Sequence, residues 1–218
     1  MISRLSKSKN RIRKASKAPA AARLASQLQQ LHSEDWTARS AAAVELGKLG
    51  DRQAAKSLSA VLRDPAAEVA REAASALGAL GDGSAVESLS AVVVNADGYF
   101  DSTVRIAAAD ALGKLQDRGA VPALVAGVRD PIAEVSQAAI RALGSLGGER
   151  VIEPLVAVVQ NKDNYFLTFV RETAVEALGR LGIPSARESL QRIVADSYLD
   201  ASVRQAASTV LTVANGVN

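Results

Sequence analysis

Cysteine is absent from this 218-residue chain. That excludes disulfide frameworks, thiolate zinc sites, iron–sulfur clusters and thiol nucleophiles. Histidine is nearly absent too: His32 stands alone, so His-rich metal sites and the paired-histidine motifs of metal hydrolases are excluded. With no second metal-ligating partner, His32 reads as a surface or capping residue after the opening helix. Aromatic residues are only 3% of a chain that is 48% hydrophobic, and about a fifth of it is alanine. A core of Ala, Leu and Val suits closely packed helices better than a β-sandwich. No apolar run approaches the roughly 18 residues that cross a bilayer; the densest, Ala91 to Val94, is far too short. No Ser–His–acid set, P-loop or Gly-x-Gly-x-x-Gly motif is present. These absences disfavour most enzyme classes.

The net charge of +3 conceals a split. Residues 1–33 hold eight basic residues, Arg4 to Arg23, and no acid, while the remainder carries 18 basic against 23 acidic residues. The high isoelectric point therefore belongs to a basic arm and not to the body. The arm, residues 1–19, alternates serine with base and ends at Pro19. Its composition fits a solubilising tail, an electrostatic tether to an acidic surface, or an Arg- and Ser-rich transit peptide. The location expected is the cytoplasm, or an organelle if the arm is a transit peptide. Like charges and little apolar surface predict an arm that does not support the fold of residues 20–214.

The body is an internal repeat. Val69 to Leu80, Val104 to Leu115, Val135 to Leu146 and Val170 to Leu181 share one pattern, with a variant opening copy at Ala38 to Leu49 and a decayed closing copy at Val203 to Ala214. Marker glycines stand at Gly47, Gly78, Gly113, Gly144 and Gly179, with Thr212 in the sixth place. Within each copy apolar residues fall at positions 0, 4, 8 and 11, one face of a helix. A small residue recurs at position 4 (Ala73, Ala108, Ala139), where neighbouring helices could approach closely. Gly50-Asp51, Gly81-Asp82 and Gly147-Gly148 read as C-caps and turns. A shorter amphipathic helix precedes each copy, as at Ala54–Leu62, Ala85–Val93, Ala120–Val128 and Val151–Val159. Such hairpins bury their apolar faces only by stacking. The predicted fold is all-α: a right-handed α-solenoid of about six helical hairpins over residues 20–214, followed by a polar tail at 215–218.

Units of about 31 and 35 residues alternate, so the full period is 66 residues, seen at Gly47, Gly113 and Gly179. In the short units Asp64-Pro65 and Asp130-Pro131 are expected to supply an N-cap acceptor and the first helical position. The long units carry insertions ending in Tyr99-Phe100 and Tyr165-Phe166. Arg39, Arg105 and Arg204 each follow an aspartate by four residues (Asp35, Asp101, Asp200). That spacing predicts local structural pairs, not an anion site.

The motif Val-Arg-x-x-Ala-x-x-Ala-Leu-Gly-x-Leu-Gly-Asp-x-x-Ala-Val-x-x-Leu resembles the HEAT-like repeats first described in phycobilin lyases, over about residues 20–214. It also resembles the repeats of adaptor proteins and of phycobilisome-degradation proteins. The resemblance implies either a scaffold or a protein that handles a bilin carried by a partner. Lack of cysteine is compatible with the second, since in that family the thiol bearing the bilin belongs to the acceptor protein.

Two candidate surfaces emerge. Positions 2 and 6 of the second helices vary most and would face a concave groove: Arg71, Ile106, Asp110, Gln137, Arg141, Glu172 and Glu176 are the expected partner contacts. Their mixed charges argue against nucleic acid in that groove, which would need a basic stripe. The aromatics line one edge at the connections between paired helices: Trp36, Tyr99, Phe100, Tyr165, Phe166 and Tyr198, with Asp97 and Asp163 beside them as acceptors. That edge could grip a flat ligand such as a bilin or a partner helix, or its Tyr-Phe pairs could plug the longer connections. The reading is a non-enzymatic protein-binding module needing no cofactor. The alternative is a phycobilin lyase-like or phycobilisome-degradation-like protein with bilin as its ligand.

Overall fold

The helical periodicity and the pairing of helices appear as expected in the computed structural model, which describes residues 19–214; most of the basic arm and the polar tail lie outside the described residues. Twelve α-helices form six hairpins: α1 (Ala20–Gln30) with α2 (Trp36–Leu49), α3 (Ala55–Ala60) with α4 (Ala67–Leu80), α5 (Val86–Val94) with α6 (Ser102–Leu115), α7 (Val121–Gly127) with α8 (Ala133–Leu146), α9 (Ile152–Gln160) with α10 (Thr168–Leu181), and α11 (Pro184–Ala195) with α12 (Ala201–Ala214). Short 3₁₀ turns lead into α3, α5, α7 and α9. Asp51, Asp82 and Asp117 begin three of these turns by accepting the amide two residues on. Among the described residues no helix is long and apolar enough to cross a membrane.

The core runs unbroken through the stack, and the period-positions Val69, Ala73 and Leu77 are fully buried. The marker glycines make it possible. A Cβ placed on Gly78 would lie 2.8 Å from the Cα of Ala111, and one on Gly113 would lie 3.2 Å from the Cα of Ala142. Gly47 meets Ala76 and Gly144 meets Ala177 in the same way. Each second helix thus presses a glycine against an alanine of the next. The even-numbered helices approach one another more closely than the odd-numbered ones, whose contacts run through Val and Leu side chains. A layer that stacks more tightly forms the inside of a curve, so the second helices line the concave face. At the far end Val210 replaces the small knob against Gly179.

Two local expectations are corrected. The N-caps of α4 and α8 are Ala66 and Ile132, not Asp64 and Asp130. The aspartates instead accept from the amides of Ala66 and Ile132, forming side-chain turns around Pro65 and Pro131 just ahead of the helices. Nor does each repeat arginine pair with the aspartate four residues before it. Asp35 and Asp101 cap their helices by accepting from Thr37 and Thr103. Arg39 and Arg105 reach into the next hairpin, to Asp64 and Asp130, and Arg171 reaches Asp200. Arg204 donates to the carbonyl of Leu199. The arginines are structural, as expected, but they tie one hairpin to the next.

Candidate functional site

The long connections are built around an asparagine in the left-handed conformation. Asn95 and Asn161, both at φ 47°, accept the amides of Phe100 and Phe166 at 2.9 and 2.8 Å. This closes the loop and turns the phenylalanine inward. Phe100 is buried and Phe166 half-buried. Each neighbouring tyrosine meets its phenylalanine edge-on, with centroids 5.2 and 5.0 Å apart. The Tyr99 hydroxyl donates to the carbonyl of Arg63 at 3.0 Å, and that of Tyr165 to Arg129 at 2.9 Å. The Arg63 guanidinium stands 4.4 Å from the centroid of the Tyr99 ring and binds Asp97 at 2.7 Å. Arg129 repeats the arrangement with Tyr165 and Asp163.

The Tyr-Phe pairs therefore plug the insertions and clip each one to the preceding hairpin. Hydrogen bonds from Arg63 and the Tyr99 amide hold the Asp97 carboxyl below its ordinary range. Both aspartates expected as ligand acceptors are thus committed to arginines within the fold. Tyr198 is fully exposed and Trp36 half-exposed, each on a different hairpin from the Tyr-Phe pairs. His32 is exposed at the end of α1. No cluster of metal-ligating side chains occurs among the described residues.

The second-helix face is differently made. Arg71, Ile106, Asp110, Gln137, Arg141, Glu172 and Glu176 are all at least partly exposed on consecutive helices of the concave layer. Arg71 is held between Glu68 and Glu72, at 2.6 and 2.5 Å. Those carboxylates, Glu68 foremost, raise its already high pKa further. Gln137 donates to the Thr173 hydroxyl at 2.8 Å, and Glu176 is weakly paired with Arg180. Asp110, Arg141 and Glu172 form no ion pair among the described residues. Charges left unneutralised by the fold are the ones available to a partner.

A depression of about 300 Å³ lies on this face between α4 and α6, lined by Arg71, Ser75, Thr103, Ile106, Asp110 and Lys114 among others. It joins the apolar Ile106 and Ala107 to one anionic side chain, Asp110, and two cationic ones, Arg71 and Lys114. Sequence reasoning found Arg71, Ile106 and Asp110 but missed Thr103 and Lys114. Those two stand at positions −1 and 10 of the copy, on the same face of α6 as Ile106 and Asp110 at helical spacing, so the periodicity of the helix was the signal for them. A second cavity, about 320 Å³ and mainly apolar, lies among α10, α11 and α12, lined by Leu178, Ile183, Leu190 and Val210.

The family model for HEAT repeats matches residues 24–100 and 96–168, and that for the PBS lyase HEAT-like repeat matches residues 170–196. No curated protein sequence matches the chain at a significant level. Among solved structures, a chain from the complex of CpcE and CpcF of phycocyanin lyase from Nostoc sp. PCC7120 is 29% identical. The match covers 83% of this chain and 73% of that one at a TM-score of 0.57. An archaeal HEAT-like repeat protein from Thermococcus onnurineus is 19% identical, covering 90% and 88% at a TM-score of 0.56. A designed armadillo repeat protein in complex with a (KR)4 peptide is 19% identical, covering 89% and 99% at 0.57. These last two likenesses establish the fold alone.

Proposed function

This chain belongs to the HEAT-repeat family, and on that premise we propose that it is a protein-docking solenoid of the phycobilin-lyase kind, engaging a bilin-bearing protein through its concave second-helix face. The observation that carries the proposal is the 29% identity, over 83% of the chain, to a component of a phycocyanin lyase complex. That likeness favours the bilin-handling reading over a plain adaptor, and a cytoplasmic location accords with it. Protein partnering is common to both readings.

With no cysteine in the chain, any thiol that forms a bond to the bilin belongs to the partner. This protein supplies binding and orientation, which bring the reacting groups into register. A bilin is flat, with pyrrole N–H donors and carboxylate tails. In the depression between α4 and α6, Asp110 is suited to accept from pyrrole N–H groups and Lys114 to hold a carboxylate, with Ile106 packing against the ring edge. The contacts proposed for the partner protein continue along Gln137, Arg141, Glu172 and Glu176. The aromatic edge has a smaller role, since its polar groups already serve the fold.

The test is a visible spectrum of the purified chain mixed with free bilin, and again with a bilin-bearing acceptor protein. The account expects a spectral change that Asp110→Asn and Lys114→Ala diminish. An unchanged spectrum with a stable protein complex would favour the plain adaptor. An unchanged spectrum with no complex would sink both.

A further inference from the structure

We propose that the first turns of α8 and α10 form a docking surface for a partner-protein segment that carries large apolar side chains flanked by Lys or Arg. The inference rests on the reading of the concave face as a protein-docking surface, and it locates the partner's anchor there. The motivating observation is a difference between two halves of one molecule. The 66-residue period makes each position of α4 and α6 the counterpart of one in α8 and α10.

In the first half this edge is capped, and its glutamates are paired with an arginine. Asp101 accepts from the Thr103 amide at 2.8 Å, and Arg71 binds Glu68 at 2.6 Å. In the second half Leu167 stands where Asp101 does, and α10 has no side-chain cap. Phe169 stands in place of Thr103, and Ile132 in place of Ala66. All three are exposed, at 57%, 44% and 40%. Gln137 replaces Arg71 and turns to Thr173, so Glu134 has no cation. Glu172 replaces Ile106 and forms no ion pair either.

Concurrent changes have thus removed a helix cap and a neutralising arginine and put three large apolar side chains into water. Gln137 makes a new hydrogen bond within the fold, to Thr173, but the lost cap and the exposed apolar side chains stand where the first half has a capping or smaller residue. Ile132, Leu167 and Phe169 occupy neighbouring ends of two directly packed helices, whose axes lie about 10 Å apart. Exposed apolar side chains at adjacent helix ends, one of them aromatic, are of the kind that anchors an interface.

The rim sets the sign of the partner. Glu134 and Glu172 contribute two negative charges, and the two helix N-termini offset about one of them. The balance favours Lys and Arg opposite. Of the cationic changes, Ala96 to Lys162 adjoins the end of α9 on the other side of the connection, Ser84 to Arg150 lies in the turn before α9, and Ser75 to Arg141 stands two turns beyond Glu134 on α8, away from the first turn.

Random peptides of about 15 residues, long enough as a helix to cross both helix ends, displayed on phage and selected on the full-length chain, test the proposal. The expected result is a consensus of Leu, Phe or Trp with Lys or Arg. Its affinity should fall about tenfold or more on the double variant Leu167→Asp/Phe169→Thr. That variant copies the first half and should melt at or above the wild-type temperature. Peptides that bind wild type and variant alike would overturn the patch while leaving the concave-face reading intact. Failure to select any peptide, or an acidic consensus, would also overturn it. Displacement by a peptide of residues 1–17 would give the patch to the chain's own basic arm and overturn the partner assignment.

Discussion

Arg105 reaches 25 residues forward to Asp130, with Nε 2.7 Å from Oδ2 and Nη2 2.8 Å from Oδ1. Both side chains are more than nine-tenths buried. The remaining guanidinium nitrogen, Nη1, donates to the Phe100 carbonyl at 2.6 Å. One side chain therefore joins its own helix, the long connection before it and the hairpin after it. Removing one member strands the other's charge in the core.

Arg105→Ala should accordingly lower unfolding free energy by about 3–5 kcal/mol. Replacing both partners by apolar residues, as in Arg105→Met/Asp130→Leu, should cost much less. Arg63→Ala, which breaks a half-exposed pair, should cost about 1 kcal/mol or less. Urea unfolding of the variants checks the ordering.

The equivalent pair in the first half gives a pH dependence. Burial tends to raise the Asp64 carboxyl, but hydrogen bonds from Arg39 and the Ala66 amide outweigh it and hold the folded-state pKa below the ordinary 3.8. A depressed carboxylate contributes stability in full above its unfolded pKa and loses it as pH falls through the folded value. Asp64→Asn should therefore destabilise the protein at neutral pH, and the difference from wild type should shrink below about pH 4. Melting temperatures at pH 7 and pH 3 are the measurement.

The sequence disclosed the hairpins, their number and the 66-residue period, because these depend on apolar spacing within one helix. It did not disclose the partners of the repeat arginines. Asp35 and Asp101 are nearer in sequence to Arg39 and Arg105, but they already cap their own helices. Stacking then brings Asp64 and Asp130 within reach. The outward positions 2 and 6 were legible for the same reason as the hairpins. Thr103 and Lys114 extend the same face of α6 by one turn at each end, and a reading confined to positions 2 and 6 passes over them.

The glycine–alanine seam predicts a penalty opposite to helix propensity. In an exposed helix Gly→Ala stabilises by about 1 kcal/mol. At Gly78 the added methyl would meet backbone of α6 at 2.8 Å, and the helices must separate. Gly78→Ala should destabilise by about 1–3 kcal/mol, read by thermal or urea unfolding. An unchanged or raised midpoint would mean that the seam is looser than described.

The uncapped start of α10 can be checked independently of any ligand. Leu167→Asp should raise stability by about 1 kcal/mol, and Asp101→Leu should lower it by a similar amount. Equal effects of the same sign would contradict the cap assignments.

The unpaired charges of the concave face are the proposed contacts to a bilin-bearing protein. Because Arg71 already neutralises two glutamates, its reversal would disturb the fold. Asp110 and Arg141 are the cleaner probes. The deciding measurement is the affinity of the full chain for a phycocyanin-type acceptor, wild type against Asp110→Lys/Arg141→Glu, followed by the acceptor's visible absorbance. Wild type should bind with a spectral change, and the variant should bind at least about tenfold more weakly at an unchanged melting temperature. Equal affinity and equal spectra for the two proteins would contradict that assignment.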